Sequence, residues 1–61
     1  MSVAALSPGE FASLVEVGGG AFHAPILLAH ETRLLELKLV YNLLGNLRIT
    51  AAGRTRIALG N

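Results

Sequence analysis

Two histidines, four glutamates and three serines are the side chains from which this 61-residue chain would have to build catalytic or metal chemistry, since cysteine and aspartate are both absent. His23 and His30 are seven residues apart, two helical turns, but Pro25 stands between them. With Glu31 they supply at most three ligands. A closed zinc site takes four, commonly with cysteine among them, so neither metal nor cofactor is expected. Ser2, Ser7 and Ser13 lie in no strand-to-helix nucleophile elbow, and no carboxylate is spaced to orient a histidine behind one of them. A pocket is hard to build at this size, which argues against a small-molecule substrate. The expectation is a chain without enzymatic activity. His30 falls on an apolar helical arc between Ile26 and Leu34, the setting of a core or interface histidine with one hydrogen-bond partner.

The cations are arranged with more asymmetry. From Met1 to Glu36 the chain carries Glu10, Glu16, Glu31 and Glu36 against Arg33, a net −3. From Leu37 to Asn61 it carries Lys38, Arg48, Arg54 and Arg56 and no acid, a net +4. A cationic half can meet a polyanion, because phosphate contacts dominate nonspecific affinity for nucleic acid. It can equally be a solvated surface that folding intermixes with the acidic half.

Length and composition bound the rest. A chain of this size forms one domain, residues 1–61, and buries only about 60% of the surface its unfolded form exposes. Hydrophobic residues make up 52% of it and charged residues 15%, which argues for order. So large an apolar share on so small a body suggests burial against a second chain, hence a homodimer. No run of roughly 18 apolar residues exists, because Gly18, Gly19, Gly20 and Pro25 interrupt the longest uncharged stretch, so no membrane span is expected. No basic segment precedes an apolar core at the start, and cysteine is absent, so a cytoplasmic protein is the default.

The elements that would position these residues follow from local signals. Met1 to Leu6 reads as a loose lead-in. Ser7-Pro8-Gly9-Glu10 is a capping box with proline at the first helical position, opening a helix over Pro8–Val17 that the three glycines stop. Those glycines lead into no Gly-Lys-Ser/Thr sequence and follow no strand, so a turn is expected there in place of a phosphate loop. Pro25 reopens helix. From Ile26 to Lys38, Ile26, Leu27, Leu28, Leu34, Leu35 and Leu37 spread over an arc of roughly 200°, while Thr32, Arg33, Glu36 and Ala29 take the other face. Leu39 to Leu44 admits two readings. It can continue the helix to Gly45, giving an all-α helical hairpin dimer with one long helix over 25–44. It can instead be a strand that turns at Gly45-Asn46 and returns through Leu47-Arg48-Ile49-Thr50, with Leu44 opposite Leu47 and Asn42 opposite Ile49. In that case Val40, Asn42, Leu44, Leu47 and Ile49 share one face and Leu39, Tyr41, Leu43, Arg48 and Thr50 the other. Thr50 then caps a closing helix, Ala51–Leu59, which Gly60 ends and Gly53 weakens.

Leu34-Leu35-Glu36-Leu37-Lys38-Leu39-Val40 followed by Leu47-Arg48-Ile49-Thr50-Ala51-Ala52-Gly53-Arg54 resembles the second half of bacterial winged helix-turn-helix regulators. In that family a recognition helix ends in a Leu-x-x-Leu-Gly-Leu-Val-like segment, a two-stranded wing follows, and a strand ending in Leu/Ile-Thr leads into Ala-Gly-Arg. The likeness covers residues 34–59, and Lys38 stands where the family usually has its glycine. It favours the hairpin, and so a mainly α domain of order α-α-β-β-α, a minimal winged-helix-like module. It implies a small DNA-binding, transcription-regulator-like protein acting as a dimer on double-stranded DNA. Thr32 and Arg33 would lie on the recognition helix, and Lys38, Arg48, Arg54 and Arg56 would supply phosphate contacts. A dimer interface would use Ile26, Leu27, His30, Leu34 and Leu37. The competing expectation is a protein-interaction or oligomerisation module built on the leucine-rich helix 26–44, with no nucleic-acid role. Leu39 to Leu44 decides between them: strand favours the first, helix the second.

Overall fold

A computed structural model of the chain describes residues 5–20 and 23–60; the first four residues of the expected lead-in lie outside them. The element order is α1 (Pro8–Gly18), α2 (Leu28–Glu36), β1 (Val40–Leu43), β2 (Asn46–Ile49) and α3 (Ala51–Leu59). The layout is therefore α-α-β-β-α, mainly helical with one small hairpin. Helix does not continue through Leu39 to Leu44, so the all-α alternative with a helix over 25–44 is excluded.

The opening of α1 is the capping box: the Glu10 backbone N–H donates to Ser7 Oγ at 3.1 Å, and the Ser7 N–H donates to Glu10 Oε1 at 2.9 Å. Its inward face carries Ser13, Leu14 and Val17. The second helix departs from expectation. It begins at Leu28, three residues after Pro25, with Leu27 as an N-cap that makes no side-chain hydrogen bond. The extended segment ahead of it is pinned from two sides. The Ala24 N–H donates to Glu16 Oε2 at 3.0 Å, and His23 Nε2 lies 3.3 Å from the Leu47 carbonyl. With Ile26 also packed on the core, residues 23–27 cannot wind into helix without breaking these contacts.

The end of α2 is a Schellman motif. The Leu39 N–H donates to the Leu34 carbonyl at 3.0 Å and the Lys38 N–H to that of Leu35 at 3.1 Å. Both leucines, Leu34 and Leu39, are buried, which supplies the apolar contact that accompanies this cap. Lys38 holds the left-handed position, with φ 60°. That is the conformation a glycine adopts without cost.

The hairpin pairs Val40 with Ile49, Tyr41 with Arg48, Asn42 with Leu47 and Leu43 with Asn46. The turn is Leu44-Gly45, with φ 52° and 87°, one residue earlier than the expected Gly45-Asn46 turn, so Leu47 pairs with Asn42 in place of Leu44 and the register is corrected by two residues. Positive φ at both central positions marks the primed turn that matches strand twist. Asn42 Oδ1 accepts the Gly45 N–H at 2.9 Å and closes the tip. The register is held at the base. The Thr50 N–H donates to the Leu39 carbonyl at 3.0 Å, extending the same ladder into the caps of α2 and α3.

Leu6, Leu14, Val17, Leu34, Leu39, Val40 and Leu47 form the core, with Phe11, Ile26, Leu37, Ile49 and Ile57 packed around it. Leu34 is fully buried there, so it cannot serve the dimer interface expected of it. No helix among the described residues is long and apolar enough to cross a membrane.

Candidate nucleic-acid interface

Thr50 organises the junction that carries the cations. Its hydroxyl accepts the Gly53 N–H at 3.0 Å, capping α3. The same hydroxyl donates towards the Lys38 and Leu39 carbonyls at 2.8 and 3.0 Å. One side chain thus ties the end of α2, the base of the hairpin and the start of α3 together. Gly53 is buried for the same reason: a Cβ there would meet the Leu39 carbonyl oxygen and Ile49 Cγ1. The expectation that Gly53 merely weakens α3 is therefore replaced by a packing requirement.

On this frame Arg48 lies on the outer face of β2, half-buried and directly across from Tyr41. Arg54 is exposed one turn into α3. Arg48, Arg54 and Tyr41 line a single cleft of about 130 Å³ together with Val17, Gly18, Gly20 and Ile49. No carboxylate lines that cleft. Among the described residues neither guanidinium has an ion-pair partner. Tyr41 was not among the residues singled out from the sequence, although its alternation with Arg48 on one strand face was the signal.

The other candidates are placed less favourably. Lys38 is exposed at the hairpin base. Thr32 is exposed and Arg33 half-buried on α2, and Arg33 forms no ion pair with Glu36, which is itself exposed. Arg56 is only 7% exposed, is engaged within the fold, and lines a groove with Leu37, Leu39, Ala52, Thr55 and Leu59. Its burial removes it from a surface that a polyanion could reach. Of the remaining interface candidates, Ile26 and Leu37 are half-buried against the core, His30 is half-buried, and Leu27 is open at 66% exposed beside Leu28.

Ser13 and His30 merit comparison with a catalytic pair, since Ser13 Oγ and His30 Nδ1 are 2.8 Å apart. Among the described residues no third side chain orients the imidazole. Ser13 sits mid-helix, where the neighbouring backbone N–H groups are spent on α1 itself and leave no oxyanion donors. The bond satisfies a buried hydroxyl that would otherwise cost about 1–3 kcal/mol. His23 is engaged with two backbone carbonyls, Nδ1 to Ala24 at 2.9 Å and Nε2 to Leu47. No group of three or more potential metal ligands occurs among the described residues. Comparison of the chain with family models, curated proteins and solved structures finds no match.

Proposed function

We propose that this chain is a cytoplasmic, non-enzymatic DNA-binding module that grips the duplex backbone through its hairpin and the start of α3. The observation that carries the reading is the cleft in which Arg48 and Arg54 stand without a carboxylate, on a half of the chain that holds no acid after Glu36. Lys38, exposed at the hairpin base, adds a third cation from the same acid-free half. The resemblance to winged helix-turn-helix regulators supports the assignment of β1 and β2 as the wing. A further support is the left-handed φ of Lys38, at the position where that family has glycine.

The surface suits phosphate contact better than base reading. On α2 the one exposed polar group beside Thr32 is the acidic Glu36, with Arg33 partly covered, and a major-groove face needs donors to guanine or amides to adenine. Binding should therefore be weakly sequence-dependent and strongly salt-dependent. Three phosphates neutralised by Lys38, Arg48 and Arg54 correspond to a slope of about −2.7 in log K against log salt, and about twice that for a dimer. Titration of a random-sequence duplex at low and moderate salt tests this. The expected result is low-salt binding that Arg48→Ala and Arg54→Ala together abolish; no binding at low salt refutes the reading.

A second reading, association through α2, is favoured by one observation: Leu27 and Leu28 are 66% and 74% exposed side by side at its N-terminus. Adjacent exposed leucines are the kind of apolar surface that a second copy would cover. Sedimentation equilibrium of the parent and of a Leu27→Ser, Leu28→Ser variant separates a dimer from a monomer.

A further inference from the structure

The cleft shared by Arg48, Arg54 and Tyr41 holds more positive charge and more donors than one internal phosphodiester can use. A phosphodiester offers one negative charge on two free oxygens. Two guanidinium groups bring two positive charges and up to ten N–H donors in planar forks, and the Tyr41 hydroxyl adds one more. We infer that this cleft is a seat for a phosphomonoester, whose charge of about −1.5 to −2 and three terminal oxygens match that set. The inference rests on the reading of Arg48 and Arg54 as phosphate contacts and narrows it to a terminal phosphate.

The surroundings decide whether an anion is stable there. The cleft lies at the end of α1, whose C-terminal partial charge of about −0.5 opposes it. That term is small beside two full cations, and it is further reduced because the Gly19 N–H returns to the Glu16 carbonyl at 3.2 Å. The nearest acids in sequence, Glu16 and Glu36, do not line the cleft. Its volume of about 130 Å³ has room for several waters and hence for the oxygens of a phosphate group. Tyr41 is held on the cleft side by its pairing with Arg48 across the hairpin, so aromatic ring and guanidinium are presented together. A nucleoside or sugar carrying the phosphate would find the half-exposed Tyr41 ring beside it.

The same chemistry has two sources, a free monoester and the phosphorylated end of a nucleic-acid strand, and two arms of one experiment separate them. In the first, inorganic phosphate is titrated into the full chain at constant ionic strength and followed by amide and arginine side-chain NMR shifts. Saturable shifts confined to Arg48, Arg54, Tyr41 and the Gly18–Gly20 turn are expected. Arg54→Ala should weaken the midpoint by about tenfold or more, and Tyr41→Phe should weaken it measurably. Arg54 is exposed and Tyr41→Phe keeps the ring, so both variants retain the fold. In the second arm a 5′-phosphorylated duplex is compared with the same duplex bearing 5′-hydroxyl ends. Preference for the phosphorylated end identifies the strand terminus as the source, and saturation by inorganic phosphate without that preference identifies a free monoester. Linear, unsaturating shifts spread over Lys38 and Arg33 as much as over Arg48 and Arg54, with no end preference, overturn the seat. In that event salt-dependent duplex binding leaves the backbone reading standing. Saturable phosphate binding without duplex binding does the reverse.

Discussion

Replacing Gly53 by alanine sets two physical arguments against each other with opposite signs. Helix propensity favours alanine over glycine by about 1 kcal/mol at an interior helical position. Packing opposes it, because the new Cβ would lie against the Leu39 carbonyl oxygen and 2.6 Å from Ile49 Cγ1. Ile49 could move a little, but the Leu39 carbonyl is backbone and is already held. It accepts the Thr50 N–H and the Thr50 hydroxyl, each at 3.0 Å, and it follows the Lys38 carbonyl, bonded by the same hydroxyl at 2.8 Å. Relief of the overlap must therefore move α3 outward, stretching bonds worth about 1 kcal/mol each and opening the contact of Ile57 with the core. Overpacking alone costs about 1–3 kcal/mol. Set against the propensity gain, the net is a destabilisation of about 2 kcal/mol. A core this small supplies only about 3–5 kcal/mol in total, so roughly half the stability is at stake. Urea denaturation followed by circular dichroism should show a lower midpoint, with Tm down by about 10 °C on the usual scaling for a 60–100-residue domain. A Gly53→Ala variant as stable as the parent would refute the close packing of α3 on the hairpin base.

Two further substitutions should move stability the other way. Lys38→Gly relieves a left-handed residue at a cost of about 1–2 kcal/mol, partly offset by the greater freedom of glycine when unfolded, for a net gain of about 0.5–1 kcal/mol. The same change deletes a cation, so thermal melts should rise while duplex affinity and its salt slope fall; a variant less stable than the parent would count against the Schellman geometry. Leu44→Gly acts at φ 52° on a side chain 95% exposed, so no buried surface is lost and a similar gain in Tm is expected. A drop in Tm on that change would mean that Leu44 packs against something that the isolated chain does not show.

Local signals located the ends of α1 and α3 within a residue because the starts are written in side chains that cap their own backbone and the stops in glycines. Ser7 with Glu10 opens one helix and Thr50 with Gly60 brackets the other. The start of α2 had no such signature. Pro25 fits a first helical turn, yet the bonds that keep residues 23–27 extended come from Glu16 and from the Leu47 carbonyl, and no local pattern reveals those partners. The hairpin was legible and its register was not. Turn preferences put glycine first in a Gly45-Asn46 turn, whereas the ladder is anchored at the opposite end, where Thr50 and Leu39 join the caps of two helices. The tip then falls where the count from the base places it, and Leu44 is carried into a conformation it does not prefer.

That slip of two residues explains why the candidate site survived it. Side chains alternate across a strand with a period of two, so a shift of two leaves each residue on its own face. Arg48 and Tyr41 stay together on the outside, and Val40, Leu47 and Ile49 stay inside. A slip of one would have buried Arg48. Arg56 departs from its expected place at the surface. Gly53 and Arg56 are three residues apart, on one face of α3, and both are buried. Charged residues default to the outside, but the absence of a side chain at Gly53 lets the helix approach the hairpin base, and the residue one turn on is drawn inward with it. The glycine that allows the close contact therefore also divides the cations of α3. Arg54 is left to face the cleft with Arg48, and Arg56 is committed to the groove beside Leu37 and Leu39.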